Sequence, residues 1–291
     1  MNKKHRLFYV EFYITNVCNL TCQGCNRFNN VKFKGWQKWS DHADVYRRWS
    51  EQLELNQLAI MGGEPFLNPN IYEWIEGLGG LWPTAEICLT TNGTQIDKHP
   101  NLYKVLDKHR NVELDISIHN KMEKNRIIDK VSSILSKPLT YEFNNTPFQE
   151  TLRVTDANGV SILFRYSWWF HQGAVIQDVE TGRYRLHESD VEKAHTNCHS
   201  ATCHHFDKGY LYKCGPAALF PEFDKQFNLD LSTADRQLIS QTPRLSIDDS
   251  FEFKSEFIKN LKDPIPQCKF CPEAYNGKQI FSIEKKDMIN E

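Results

Sequence analysis

Apolar positions in the first half of this chain switch repeatedly between strand and helix spacing. Residues 7–15, LFYVEFYIT, are dense in aromatic and β-branched types and predict a strand. Ser40–Leu53 carries apolar residues at helical intervals behind the cap candidates Ser40 and Asp41, which predicts a helix. Gln57–Met61 reads as a short buried strand ended by Gly62-Gly63, and Asn70–Leu78 as a helix. A strand over Ala85–Thr90 breaks at Thr91-Asn92-Gly93. The alternation continues with a helix over Pro100–Lys108, a strand over Val112–Ile118 and a helix over Lys121–Leu135. Leu139–Phe143 and Ser161–Ser167 add two more strands, for about six in all. Such repetition favours a parallel sheet with covering helices, as an open sheet or a barrel.

The rhythm changes after Trp168. Gly182 marks a hairpin between Val175–Val179 and Tyr184–Leu186, and Glu188–His195 reads as a short helix. A cysteine-free stretch, Gly215–Gln267, carries one further expected helix at Ser250–Leu261. A change of domain near residues 170–190 divides the chain into 1–175 and 176–291. No internal repeat is evident.

Composition narrows the class without naming a function. A chain of 291 residues suffices for one large α/β domain with an appendage, and 40% hydrophobic with 25% charged residues is ordinary for a globular protein. A formal charge of −2 disfavours a broad phosphate-binding surface, so a nucleic-acid partner is not expected. Leu7–Ile14 is too short and interrupted for a signal peptide, and no apolar stretch approaches the ~20 residues that span a bilayer. A soluble, cytoplasmic protein without a membrane partner is the expectation.

The nine cysteines, at 18, 22, 25, 88, 198, 203, 214, 268 and 271, are odd in number and clustered. That pattern fits metal ligation in a reducing compartment better than a disulfide framework. Cys88, alone in an apolar run, reads as a small core residue. Cys18, Cys22 and Cys25 follow the first strand and can wrap one metal centre from a single loop. A closed [4Fe–4S] cluster takes four cysteines, so three leave one iron open to a substrate or cofactor. A zinc site would want a fourth ligand, and no His or Cys stands within the next ten residues. A redox dithiol would lack the extra upstream cysteine. The spacing favours an open iron–sulfur site.

In this form the loop resembles the radical S-adenosylmethionine (SAM) superfamily, whose signature is Cys-x3-Cys-x2-Cys after the first strand. Met61-Gly62-Gly63-Glu64-Pro65, one strand–helix unit later, resembles the family's glycine-rich segment for the methionine amino group. Where the family usually carries an aromatic residue before the third cysteine, this chain has Gly24, whose contact with adenine would run through backbone. By the same register Asn92 resembles the family's Thr-Asn-Gly segment, and Ser117 sits where many members place a serine near ribose or carboxylate. Arg165 could pair with the SAM carboxylate through a bidentate fork, and His119 could point into the site. The competing roles are local: a turn residue, a strand serine, a surface arginine.

The late cysteines form a second constellation: Cys198-His199-Ser200-Ala201-Thr202-Cys203, then Gly209 to Cys214, then Cys268-Lys269-Phe270-Cys271. It resembles the SPASM domain and its shortened form, twitch, which closes one auxiliary [4Fe–4S] cluster with four cysteines. Cys214, Cys268 and Cys271 are the first three candidates, and either Cys198 or Cys203 is the fourth. Zinc is the alternative, with His199, His204 or His205 adjacent. The run Tyr166-Ser167-Trp168-Trp169-Phe170-His171 reads as packing at the domain junction.

The resemblance implies a partial (βα)6 TIM-like barrel followed by a small α+β cluster domain. It implies two [4Fe–4S] clusters, S-adenosylmethionine, and an electron donor such as flavodoxin or ferredoxin. The implied activity is reductive cleavage of SAM and hydrogen abstraction from substrate. Oxidative or cross-linking modification of a peptide or small metabolite is the leading subclass, and modification of a nucleotide or nucleic acid the alternative. A different class altogether is a non-catalytic iron–sulfur or zinc protein. The sequence assigns no catalytic side chain.

Overall fold

The structure, a computed structural model, describes residues 4–22, 24–145, 150–166, 169–170, 174–178, 180–198, 200–274 and 278–279. Its strands are β1 (His5–Tyr13), β2 (Leu53–Met61), β3 (Glu86–Thr91), β4 (Val112–Ile118), β5 (Leu139–Asn145), β6 (Glu150–Asp156) and β7 (Ser161–Tyr166). Short strands follow: β8 (Trp169–Phe170), β9 (Val175–Gln177), β10 (Tyr184–Leu186), β11 (His204–Asp207), β12 (Tyr210–Tyr212), β13 (Arg244–Leu245) and β14 (Lys278–Gln279). The α-helices are α1 (Ala43–Gln52), α2 (Ile71–Leu81), α3 (Leu102–Lys108), α4 (Lys124–Ser132), α5 (Val191–Thr196), α6 (Gly215–Phe227), α7 (Thr233–Ser240) and α8 (Phe251–Asn260).

A 10-stranded sheet orders the molecule as β13-β12-β11-β1-β2-β3-β4-β7-β6-β5. The run from β11 through β1, β2, β3 and β4 to β7 is parallel throughout. This is the expected mixed α/β architecture, an open parallel sheet with helices, as in a partial TIM-like barrel. Its parallel strands are not all the anticipated ones. Leu139–Phe143 does not join the parallel series: β5 pairs antiparallel with β6, and β6 antiparallel with β7. The alternating polar residues of Glu150–Asp156 concealed β6, because an edge hairpin needs little burial. The sixth parallel position belongs to β11, from the late cysteine region, which pairs Val10 with His204 and Phe12 with Phe206. The proposed division at 175/176 thus falls between segments that share one sheet.

Strand alternation explains why the sheet has two different faces. Val10, Phe12 and Ile14 point to the helix side and are fully buried. Phe12 packs on Tyr46 at 5.1 Å and on Phe206 at 5.0 Å between ring centres, and Trp49 packs on Phe206 at 5.3 Å. Helix α1 therefore covers β1 and β11 together. Gly209, with φ +82°, turns the β11–β12 hairpin, and its carbonyl accepts from Trp49 Nε1 at 2.9 Å. A second aromatic core, built from Phe28, Phe33, Phe220, Phe223 and Phe270, lies between the first cysteine loop, α6 and the last cysteine pair. Burying each such ring stabilises by about 1.5–3 kcal/mol.

The Gly215–Gln267 stretch holds α6 and α7 as well as the expected α8. Pro221 inside α6 hid that helix from a sequence reading. Of the aromatic run at 166–171, Ser167, Trp168 and His171 lie outside the described residues, as does His199.

Candidate metal and cofactor sites

The loop after β1 is held by the turn after β2. The β1–β2 ladder continues past the strands, with Ile14 N donating to Met61 O at 2.9 Å, Gly63 N to Thr15 O at 2.7 Å and Glu64 N to Val17 O at 2.8 Å. A Cβ on Gly62 would stand 2.5 Å from Thr15 O, and one on Gly63 would stand 2.2 Å from Val17 O. Both glycines are required for this backbone approach, before any ligand is considered. Within the loop, Gly24 has φ +72° and Cys25 N donates to Cys22 O at 3.3 Å. The left-handed turn explains why glycine, rather than an aromatic residue, precedes the third cysteine.

Glu64 is fully buried and works as a clasp between turns. Its carboxylate accepts from Phe66 N at 3.1 Å, Thr91 Oγ1 at 2.5 Å and Asn92 N at 2.8 Å. Burial pushes its pKa up to about 7, with the three donors opposing the shift. Asn92 in turn donates to Asn19 Oδ1 at 2.9 Å, and Asn19 donates to Thr94 Oγ1 at 2.8 Å. Three loops from three strand ends are thereby locked together.

A cavity of about 280 Å³ opens over these turns. Cys18, Cys22 and Cys25 line it with Gly24, Gly62, Gly63, Asn92, Ser117 and His119. Burial is the main reason the Cys18 thiol is held well above its ordinary range. Two expected residues stand elsewhere. Glu64 lies beneath the cavity in its clasp. Arg165 is forked onto Asp115, with Nε at 2.8 and 2.9 Å from the two carboxylate oxygens, and lines a separate cavity with Cys88. The register aligns Ser117 with Arg165, so the shorter side chain reaches the cysteine cavity while the longer one folds back along the sheet face.

Four late cysteines, Cys198, Cys214, Cys268 and Cys271, line a second cavity of about 40 Å³. Burial, reinforced by the neighbouring sulfurs, pushes Cys214 up to about 12 and raises Cys268 and Cys271. Cys203 is not among the lining residues. It is raised to about 11, by burial first and then by the Glu11 carboxylate, with Arg27 opposing. His204 Nδ1 lies 3.0 Å from Lys213 O, and His205 Nδ1 lies 3.2 Å from Glu11 Oε2.

The wall between the cavities is polar and was missed by sequence reasoning. Asn26 lines both. Arg27, 5% exposed, pairs with the buried Glu11, and a Cβ on Gly215 would lie 2.6 Å from its Nε. Burial opposes charge on both partners, yet their pairing keeps Glu11 low and Arg27 high. Asn29 donates to Tyr13 OH at 2.9 Å and Asn16 O at 2.7 Å. Asn26, Arg27 and Asn29 read in sequence as ordinary polar loop residues, and only Phe28 among them hints at packing. His195 and Lys213 also line the second cavity.

Among the described residues, no three His, Cys, Asp or Glu side chains converge at metal-binding separation. Three thiols on one cavity and four on another are soft donor sets of the kind that hold iron–sulfur clusters or zinc. His195, which lines the second cavity, has its Nε2 buried without a partner.

Residues 12–131 match the radical SAM superfamily. This segment is a radical SAM domain. That family implies a [4Fe–4S] cluster and S-adenosylmethionine. The chain is 29% identical over 114 residues to GTP 3′,8-cyclase of Listeria welshimeri, covering 38% of this chain and 34% of that protein. It is 24% identical over 186 residues to GTP 3′,8-cyclase of Nautilia profundicola, covering 55% and 56%. The match thus spans about a third to just over half of these relatives' length. The crystal structure of BtrN in complex with AdoMet and 2-DOIA aligns over 96% of this chain and 100% of that one, with 15% identity and a TM-score of 0.48. The radical SAM domain contains the first cysteine loop, the Gly62-Gly63 turn and Ser117, whereas the four cysteines of the second cavity lie beyond it. No helix among the described residues is long and apolar enough to cross a membrane.

Proposed function

We propose that this chain is a radical SAM enzyme with two iron–sulfur clusters. The observation that carries the reading is the three-thiol cavity, in a matched radical SAM domain, beside a separate four-thiol cavity. Cys18, Cys22 and Cys25 would hold the first cluster. Cys198, Cys214, Cys268 and Cys271 would hold the auxiliary one, within a twitch-like region over 176–291. Bound S-adenosylmethionine would supply, on one-electron reduction, hydrogen-abstracting radical chemistry in the cavity that Cys18, Cys22 and Cys25 line.

The chain's own residues provide position and shelter. Gly62 and Gly63 let their turn press directly against the cysteine loop, which fixes the wall of the three-thiol cavity that both line. Glu64, Asn92 and Asn19 keep the rim fixed, which holds reacting atoms in one geometry. Ser117 presents a hydroxyl to the cavity for ribose or carboxylate oxygens. Arg165 would reach a carboxylate only by giving up its fork to Asp115. A flavodoxin or ferredoxin is the proposed electron donor, and the cytoplasm the proposed location.

For substrate, oxidative or cross-linking modification of a peptide or small metabolite is the first reading. A second, modification of a nucleotide, is supported by the relatives named GTP 3′,8-cyclase. Anaerobic reconstitution tests the whole proposal. Protein loaded with about eight irons and reduced with dithionite should convert S-adenosylmethionine to 5′-deoxyadenosine and methionine. Cys18→Ala should abolish that conversion. Loaded, reduced protein that forms no 5′-deoxyadenosine, or purified protein holding only tetrahedral zinc, overturns it in favour of a binding or electron-transfer role.

A further inference from the structure

The second cavity contains more than sulfur. Its walls are largely alanine, proline, isoleucine and phenylalanine, yet His195 and Lys213 also line it. His195 Nε2 is buried with no hydrogen-bond partner. Lys213 is 4% exposed, and its Nζ donates to the Leu261 carbonyl, which leaves further N–H bonds on the same nitrogen. The segments that carry them are held firmly. Helix α5, which carries His195, is bolted to the last cysteine segment by Ser189 N to Lys269 O at 2.9 Å and Asp190 N to Glu273 Oε1 at 2.7 Å. Asn197 Nδ2 adds a bond to Glu273 O at 2.7 Å. Lys213 follows β12 directly and precedes Cys214.

Buried polar nitrogens in a mostly apolar pocket require acceptors. The sulfurs are the acceptors a filled site would offer. We propose that His195 and Lys213 are positioning residues that donate N–H hydrogen bonds to the sulfurs of the auxiliary cluster and raise its reduction potential. An amine carries N–H in either protonation state, so the role of Lys213 does not depend on its charge. Donors to cluster or thiolate sulfur stabilise the reduced, more negative form and move the potential upward. This inference rests on the two-cluster reading above. Its rival is internal: Gln267 Oε1 is also buried without a partner and lines the same cavity, so a water joining it to His195 would satisfy both.

A redox titration of the full chain, reconstituted anaerobically with iron and sulfide and followed by electron paramagnetic resonance, separates these possibilities. The first cluster serves as internal reference. In His195→Phe and Lys213→Met the auxiliary cluster should keep its iron and titrate at a lower potential, with the first cluster unmoved. His195→Gln, which retains an N–H donor, should restore part of the shift. An unshifted auxiliary potential with full iron overturns the proposal and leaves His195 to Gln267. Loss of auxiliary iron in His195→Phe overturns it too, since that is the behaviour of a ligand. If wild-type protein takes up only one cluster, the two-cluster reading fails first, and this inference falls with it.

Discussion

At the scale of single residues, Glu64 shows how a motif residue can serve the scaffold. Hydrogen-bond donors from Phe66, Thr91 and Asn92 surround its carboxylate, and burial lifts its pKa to about 7 from an ordinary 4.5. The folded state therefore binds a proton between those values that the unfolded state releases. This contribution to stability is complete below about pH 4.5, declines as pH rises towards 7, and is flat above. It is worth roughly 3 kcal/mol over that window. Urea unfolding at pH 5 and pH 8 should show this decline in the wild type and not in Glu64→Gln; parallel slopes in both would refute it. Gly63→Ala tests the neighbouring constraint. A methyl group 2.2 Å from Val17 O cannot be accommodated without moving the cysteine loop. Expected consequences are a loss of ~1–3 kcal/mol and reduced iron uptake at the first site, measured by unfolding and iron assay.

At the scale of elements, α6 matters more than its hidden sequence signal implied. Phe220 stacks on Phe28 at 5.5 Å between ring centres, Phe223 packs on it at a tilt at 5.1 Å, and Phe220 meets Phe270 edge-on at 5.8 Å. The helix thus fixes the first cysteine loop on one side and the last cysteine pair on the other. Phe28 itself sits at φ +63°, a conformation that packing must hold in place. Phe220→Ala should cost about 3–5 kcal/mol. Because both loops lean on this ring, iron content should fall at both sites together, whereas Cys18→Ala should empty only the first. Selective loss at one site in Phe220→Ala would show that the loops are held independently.

At the scale of the whole molecule, β11 joins the late segment to the main sheet. It covers the outer edge of β1 and brings His205 to the Glu11–Arg27 pair inside the protein. A chain ending at residue 175 would expose the β1 edge and leave that buried ion pair open. Unpaired strand edges promote association. Such a truncated chain should aggregate or elute as oligomers on size exclusion, and a monomeric, cooperatively unfolding product would show the barrel to be self-sufficient. The two cavities also meet close by, at Asn26, the neighbour of Arg27.

Local sequence determined the elements whose period is strong, from β1 through α4, and it determined the donor chemistry, because thiol spacing within one loop is a local property. Cys18, Cys22, Cys25 and the Gly62-Gly63 turn were legible for that reason. Tertiary structure alone decided contacts between segments far apart in the chain. Cys198 rather than Cys203 faces the four-thiol cavity, Arg165 turns to Asp115, and Glu64 becomes a clasp. Nothing local announces that β11 completes the parallel run in place of Leu139–Phe143. Strand order depends on which edges are left to pair, and that is settled only when the chain closes on itself.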